Sequence, residues 1–473
     1  MWMEQQPALG TREDRRTFYR WTMRIAAPMV AQNLMNAAVS AVDVVMLSFV
    51  SQAALGASSL AGQVAFVLEM LTGGVCAGGR VLAAQYWGKD DRTAVERVLG
   101  LAVRIALATG VLFTLAAALW PETIMGVITK DEAMIREGAR YLRLVSAAYA
   151  LSAVSTVYLG IMQSVERVRL STVVHGGAML VNAALNACFI FGLGFFPKLG
   201  IGGVALATSI TRLLEVMVCL ADNAVSRTVR LRLRYLVTRD GPLVRAFARY
   251  AIPTAANEAV WGLAFSMYAV ILGHLSSDIV AANALATVCR NMGTIASYGL
   301  ASAGAVILGK LMGSYQLARA RVYADRLVRL CLCAAALGTA AILVCRPWIL
   351  GFAAGRGDFT PGALHDLNVM LWINAYYLWG GSINTMLICG IFRAGGDVQF
   401  GLRCDIIDMW VYAVPAGILC AFVLRLPELW VYFVLCLDEF VKIPFVWRHY
   451  RGASWLRDIT REQEIQAERN AME

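Results

Sequence analysis

The chain has 473 residues, 59% of them drawn from Ala, Val, Ile, Leu, Met, Phe, Trp, Tyr and Cys and 16% charged, where a soluble protein is roughly half apolar and a quarter charged. Apolar runs longer than a core helix needs argue against a water-soluble enzyme and make the bilayer the simpler solvent. The formal charge of +10 sits in clusters between those runs, not in one stripe interleaved with aromatics, so it reads as membrane topology and not as a nucleic-acid groove.

In chain order, twelve stretches are long enough to cross about 30 Å of hydrocarbon as helices. They are residues 25–50, 53–82, 99–119, 141–162, 172–196 and 200–221 in the first half, and 251–275, 279–310, 327–344, 367–391, 400–424 and 429–446 in the second. None shows the strict alternation of a strand, and an unpaired strand leaves its backbone unsatisfied in lipid. The first stretch carries Pro28, Gln32, Asn33, Asn36 and Asp43 and is longer than the apolar core of a cleavable leader, so it is expected to stay as a span. Alternate connections hold 31 of the 42 Lys and Arg residues and the opposite ones eight, with Arg104, Arg212 and Arg290 inside spans. The positive-inside rule then places both termini in the cytoplasm of a multi-pass cell-membrane protein.

The chain also repeats. Laying residues 24–88 over 249–313 without a gap matches 14 of 65 positions, among them Pro28 on Pro253, Ala57 on Ala282 and Gly88 on Gly313, where roughly five are expected by chance. The expected organisation is a cytoplasmic tail (1–24), a six-helix lobe (25–224), a basic cytoplasmic linker (225–250), a second six-helix lobe (251–447) and a cytoplasmic tail (448–473). Both lobes begin on the same side of the membrane, which makes them parallel repeats about an axis along its normal, with a substrate path between them.

Eleven cysteines, nearly all inside apolar runs and with no CxxC pair, exclude a secreted disulfide framework. His175, His274, His365 and His449 lie far apart, so no zinc or haem site has local support. The two Gly-Lys pairs, Gly88-Lys89 and Gly309-Lys310, close no phosphate-binding loop, and no compact hydrolase motif is present. The expectation is a transporter driven by an ion gradient, without enzymatic activity or cofactor.

Several motifs, in order, resemble the multidrug and toxic compound extrusion (MATE) transporters. They are Pro28 with Asp43, Ala83-Ala84-Gln85-Tyr86-Trp87-Gly88, Gly202-Gly203-Val204-Ala205-Leu206-Ala207-Thr208, Pro253 with Glu258, and Arg393-Ala394-Gly395-Gly396-Asp397. The resemblance covers essentially all twelve spans. It implies an all-α fold of twelve transmembrane helices in two pseudo-symmetric six-helix lobes, arranged as a V. It also implies an exporter in which inward H⁺ or Na⁺ flow drives extrusion of amphipathic, usually cationic compounds. In such proteins the first-lobe Asp pairs with polar groups on spans one, five and six, here Asn36, Asn182, Asn186 and Thr208. This chain has Asn182-Ala-Ala-Leu-Asn186 where many members have Asn-x-x-x-Asp, so the second carboxylate of a two-acid proton site is missing. Glu258 matches a cation-binding Glu of some second lobes, with Ser382 and Asn384 where an Asp often stands; Na⁺ at either set of residues is the one metal ion to consider.

A charge at the bilayer centre costs at least about 2.5 kcal/mol, so intramembrane acids are kept for use. Pro28 and Pro253 each remove a helical hydrogen bond and mark hinges. Asp405 and Asp408 open span eleven, while Asp438, Glu439 and Lys442 close span twelve; with Arg393 and Asp397 they form either an inner gate or static salt bridges. Met35, Met70, Tyr149, Met162, Trp261, Met267, Tyr268, Met292, Tyr376, Tyr377 and Trp379 line an adaptable cavity or pack helices, whereas Trp120, Trp348, Trp430 and Trp447 read as interface anchors. The expected partners are membrane lipids and small cationic or amphipathic substrates, with no nucleic acid, and the chain is expected to be a monomer. Two other readings stay open. One is a flippase for a lipid-linked precursor, which needs a large cationic cavity; the other is a non-transporting membrane receptor.

Overall fold

A computed structural model describes residues 7–48, 52–129, 132–193, 196–226, 228–238, 240–355 and 360–459. Among them there are helices and turns and no strand, as a lipid solvent that offers the backbone no hydrogen bonds requires. The helices of the first half are α1 (Arg12–Ser48), α2 (Gln52–Gly88), α3 (Arg92–Leu119), α4 (Pro121–Ile128), α5 (Glu132–Ser164), α6 (Val168–Phe191), α7 (Ile201–Val225) and the short α8 (Leu233–Val237). The second half has α9 (Gly241–Gly273), α10 (Ser277–Gly313), α11 (Leu317–Gly355), α12 (Pro361–Asn384), α13 (Val398–Asp405), α14 (Val414–Ile418), α15 (Glu428–Leu435), α16 (Asp438–Val441) and α17 (Ile443–Arg451). Nine helical stretches among the described residues are long and apolar enough to cross a membrane. The remaining three of the twelve segments are α1, which starts in charged residues, α12 with its extension, and the broken run α15 to α17.

The repeat is written in the backbone. Helices α2 and α10 coincide end to end under a shift of 225 residues. The turns after them also match: Asp90 and Tyr315 both take the left-handed region, at φ 58° and 60°, and the Asp91 and Gln316 amides donate to the Tyr86 and Leu311 carbonyls at 3.1 and 2.9 Å. The fourth-to-fifth connection of the second half is the motif from Arg393 to Asp397, where Gly396 sits at φ 74°. A Cβ on Gly395 would run into the Trp455 carbonyl oxygen. These glycines shape a tight turn.

Packing divides the chain into two compact units, Ala31–Ala255 and the described residues up to Val30 together with those from Ala256 onward. This differs from the lobe boundaries at 25–224 and 251–447 read from the sequence. The divisions fall inside α1 and α9, two residues past Pro28 and two past Pro253, at equivalent positions of the repeat. The start of α9 belongs to the first-half unit because small residues let backbones approach: a Cβ on Gly78 of α2 would lie 2.6 Å from the Ala251 Cα. The start of α1 belongs to the second-half unit, where Asp14 accepts from the Tyr323 hydroxyl at 2.9 Å and from Arg326 at 2.8 Å. In lipid, burying Leu against Leu removes no water, so such close contacts and polar bonds carry the association.

Within the Ala31–Ala255 unit the core gathers Leu68, Met125, Leu142, Val145 and Tyr149. Met162 is likewise fully buried, so Tyr149 and Met162 pack between helices. In the other unit Leu272, Ile279, Leu367, Met370, Leu378, Val431 and Leu435 form the core. Trp120, Trp348 and Trp430 lie exposed near helix ends.

Candidate functional site

Two π-helical stretches, Thr385–Phe392 and Ile406–Ala413, interrupt the run from α12 to α14, and a third, Leu419–Val423, follows α14. Such turns widen the helix and recur at functional positions. Asp405 ends α13 and Asp408 sits in the second stretch. Opposite them, Asp438 and Glu439 open the four-residue α16 and Lys442 follows it. A glycine makes the approach of this turn to α12 possible, since a Cβ on Gly380 would meet the Glu439 Cβ at 3.0 Å.

The result is a buried cluster. Lys442 Nζ lies 3.2 Å from Asp405 Oδ1, 3.3 Å from Glu439 Oε2 and 3.5 Å from Asp408 Oδ2, and all four side chains are within 3% of complete burial. Asp438 is fully buried and accepts from the Tyr268 hydroxyl at 3.0 Å. Neutral donors hold two of the other acids: Asn257 Nδ2 donates to Asp405 Oδ2 at 2.7 Å, Asn384 Nδ2 to Glu439 Oε2 at 2.7 Å, and the Tyr377 hydroxyl to Glu439 Oε1 at 3.3 Å. Both Asp408 oxygens lack a hydrogen-bond donor, so Lys442 is its close cationic contact. Three carboxylates thus contact one ammonium, with a fourth, Asp438, next to Glu439 in the chain, and a low-dielectric interior tolerates such an excess only with bound protons or cations.

The network extends through Asn257. Its Oδ1 accepts from Arg393 Nη2 at 3.1 Å, and the same nitrogen donates to Glu258 Oε1 at 2.8 Å. Glu258 is therefore paired with a guanidinium and is partly exposed. Ser382, expected beside it, bonds the Ser297 hydroxyl at 2.7 Å, and Asn384 is engaged by Glu439. Asp397 does not join the Lys442 cluster; it lies 2.6 Å from His449 Nε2, whose ring stacks on Phe400. Arg290 lies over the rings of Phe265 and Tyr377.

In the first half, the Asp43 side chain lies outside the described residues. Asn186 Nδ2 donates to Asn182 Oδ1 at 3.1 Å, one turn along α6. Thr208 bonds the Val204 carbonyl of its own helix at 3.0 Å, and Asn36 is on an exposed face of α1. At the position of Asp43 the second repeat carries Tyr268, the donor to Asp438. The Ala31–Ala255 unit also holds a cluster of which the sequence shows only the Arg212–Glu215 pair. Buried Glu215 accepts from Arg212 at 2.8 Å and from Ser155 at 3.1 Å, and lies 2.9 Å from His175 Nδ1. The i, i+3 spacing of Arg212 and Glu215 was a readable signal; His175 and Ser155 come from other helices and gave none.

Among the described residues no group of His, Cys, Asp and Glu has the arrangement of a metal site. The ammonium of Lys442 instead occupies the point that three carboxylates face.

A family model described as MatE matches residues 28–188 and 253–419. The chain is 26% identical over 411 residues to a probable multidrug resistance protein NorM of Bradyrhizobium diazoefficiens, covering 85% of this chain and 86% of the relative. It is 23% identical over 403 residues to the multidrug resistance protein PmpM of Pseudomonas aeruginosa, covering 84% and 82%. A solved structure, described as the outward-facing conformation of a multidrug resistance MATE family transporter of the MOP superfamily, superposes with a TM-score of 0.82. That match has 17% identity and covers 92% of this chain and 97% of the other; it is a likeness of fold.

Proposed function

The chain belongs to the MatE family, whose members are multi-pass membrane transporters and not enzymes, and from that premise we propose that it exports amphipathic, cationic compounds in exchange for H⁺ by alternating access. Relatives named as multidrug resistance proteins support the substrate class. The coupling ion rests on one observation, the three buried carboxylates in contact with Lys442 and the buried Asp438 adjacent to Glu439. A tethered ammonium already fills the place a metal cation would take, so the remaining negative charge is best answered by protons. Each proton bound weakens the hold of a carboxylate on Lys442 and favours a rearranged π-turn. Glu258 and Arg393 link that change to α9 through Asn257, and Pro28 and Pro253 are the places where α1 and α9 bend. Both termini lie in the cytoplasm under this proposal, as the distribution of Lys and Arg requires.

Efflux of a fluorescent organic cation from proteoliposomes, under separately imposed pH and Na⁺ gradients, tests the reading. Wild type is compared with Asp43→Asn, Glu258→Gln and Asp408→Asn. Flux driven by the pH gradient and lost in Asp408→Asn supports it. Flux that follows Na⁺ alone overturns the choice of ion, loss confined to Asp43→Asn moves coupling to the first half, and no flux of folded protein in either gradient overturns antiport.

A further inference from the structure

We propose that the groove between α3 and the short helix α8 binds the phosphate of an anionic phospholipid. The groove has a volume of about 310 Å³ and is lined by Arg97, Arg104, Arg234, Tyr235 and Asp240, closed by the start of α9. It is a built site. Helix α8 seats on α3 at Gly100, where a Cβ would fall 2.6 Å from the Tyr235 Cβ. Arg104 Nη1 donates to the Thr238 carbonyl at 3.1 Å. Glu96 ties down the segment leading into α8, accepting from the Arg230 amide at 3.1 Å and pairing with Arg232 Nε at 2.7 Å. Asp240 accepts from the Leu243 amide at 3.2 Å and stands 3.9 Å from Arg97. Three guanidiniums face one carboxylate, which leaves the groove cationic, and the guanidinium fork matches phosphate oxygens.

The neighbouring surface says which phosphate. Arg104 shares a helical face with Leu107, Val111 and Leu115, at spacings of three, four and four residues. All three leucine and valine side chains are exposed, and α8 exposes Leu233 and Val237. A free phosphate gains nothing from that stripe. An acyl chain running along it from a headgroup held at the arginines covers it, and basic pockets against membrane helices are the sites that recognise anionic headgroups. None of these residues belongs to the Lys442 network.

The test uses the full-length protein, delipidated in nonionic detergent and titrated with dioleoylphosphatidylglycerol, dioleoylphosphatidylcholine or inorganic phosphate, with bound ligand counted by native mass spectrometry. Phosphatidylglycerol is expected to bind and the other two are not. Arg234→Gln, an exposed change, weakens binding about fivefold, and Arg104→Gln added to it about 25-fold. Arg12→Gln with Arg16→Gln, which removes equal charge elsewhere, leaves it unchanged. Equal affinity in wild type and Arg234→Gln overturns the site. Displacement by inorganic phosphate at equal concentration, or equal binding of phosphatidylcholine, overturns the lipid class. If the double variant fails to fold, Arg234→Gln alone decides.

Discussion

Replacing Lys442 by methionine removes one charge from the buried cluster while keeping most of the side-chain volume. At an effective dielectric of about 20, each contact between Lys442 and a carboxylate is worth about 5 kcal/mol of gross attraction, and there are three, at 3.2, 3.3 and 3.5 Å. The variant does not lose all of that, because a carboxylate left without its ammonium takes up a proton. From an ordinary aspartate value of about 3.9, that protonation costs ~4 kcal/mol at pH 7 and ~1.5 kcal/mol at pH 5. The cost of Lys442→Met is therefore expected to be ~4 kcal/mol at neutral pH, within the range for breaking a buried pair, and to shrink as pH falls. Unfolding in mixed micelles by sodium dodecyl sulfate titration at both pH values measures it. Adding Asp408→Asn should restore most of the loss, since Asp408 has no hydrogen-bond donor of its own. A loss below ~1 kcal/mol at pH 7, or the same loss at both pH values, would refute the assignment of Lys442 as the counter-ion.

Two further predictions concern the cytoplasm-proximal parts of the proposed topology. Burial raises the Asp14 carboxyl, but hydrogen bonds from Arg326 and Tyr323 and the Gly10 amide outweigh it and hold the group below its ordinary value of 3.8. Its contribution is thus present above pH 3.8 and is lost as pH falls through the depressed value. Asp14→Asn should cost ~1.5–3 kcal/mol at pH 7, with the gap to wild type in the same unfolding assay closing only below pH 3.8; a gap already closed at pH 5 would contradict this. Gly100→Ala should push α8 off α3, at ~1–3 kcal/mol for an overpacked contact. Faster tryptic cleavage at Arg230, Arg232 and Arg234 in the folded protein is the readout, and unchanged cleavage would show that α8 does not seat on Gly100.

The spans and the duplication were legible because each is a sum over many residues: twenty apolar side chains outvote a few polar ones, and 65 aligned positions outvote chance. The meeting of Asp405, Asp408, Glu439 and Lys442 was foreshadowed by four charges at the ends of two apolar runs. Their partners were not. Asn257 and Tyr268 on α9, and Tyr377 and Asn384 on α12, are ordinary polar or aromatic residues in apolar helices, and only the fold makes them donors to those acids. The π-turns that set the register of Asp408 have no composition signature, since Ile406 to Ala413 would suit a plain α-helix equally well. For Tyr149 and Met162 the sequence left cavity lining and helix packing both open, because an adaptable side chain and a tightly packed one occupy the same helical spacing.

The exchange of helix ends at Val30 and Ala255 has a consequence for biogenesis. The N-terminal segment bonds Arg319, Tyr323 and Arg326, residues 309 to 312 positions later in the chain. At ordinary rates of synthesis that is a wait of ~15–60 s, during which the amino end of the newborn protein has no native partner. The first-half unit is likewise incomplete until the opening of α9 has been made, so the two copies of the repeat are not separable modules.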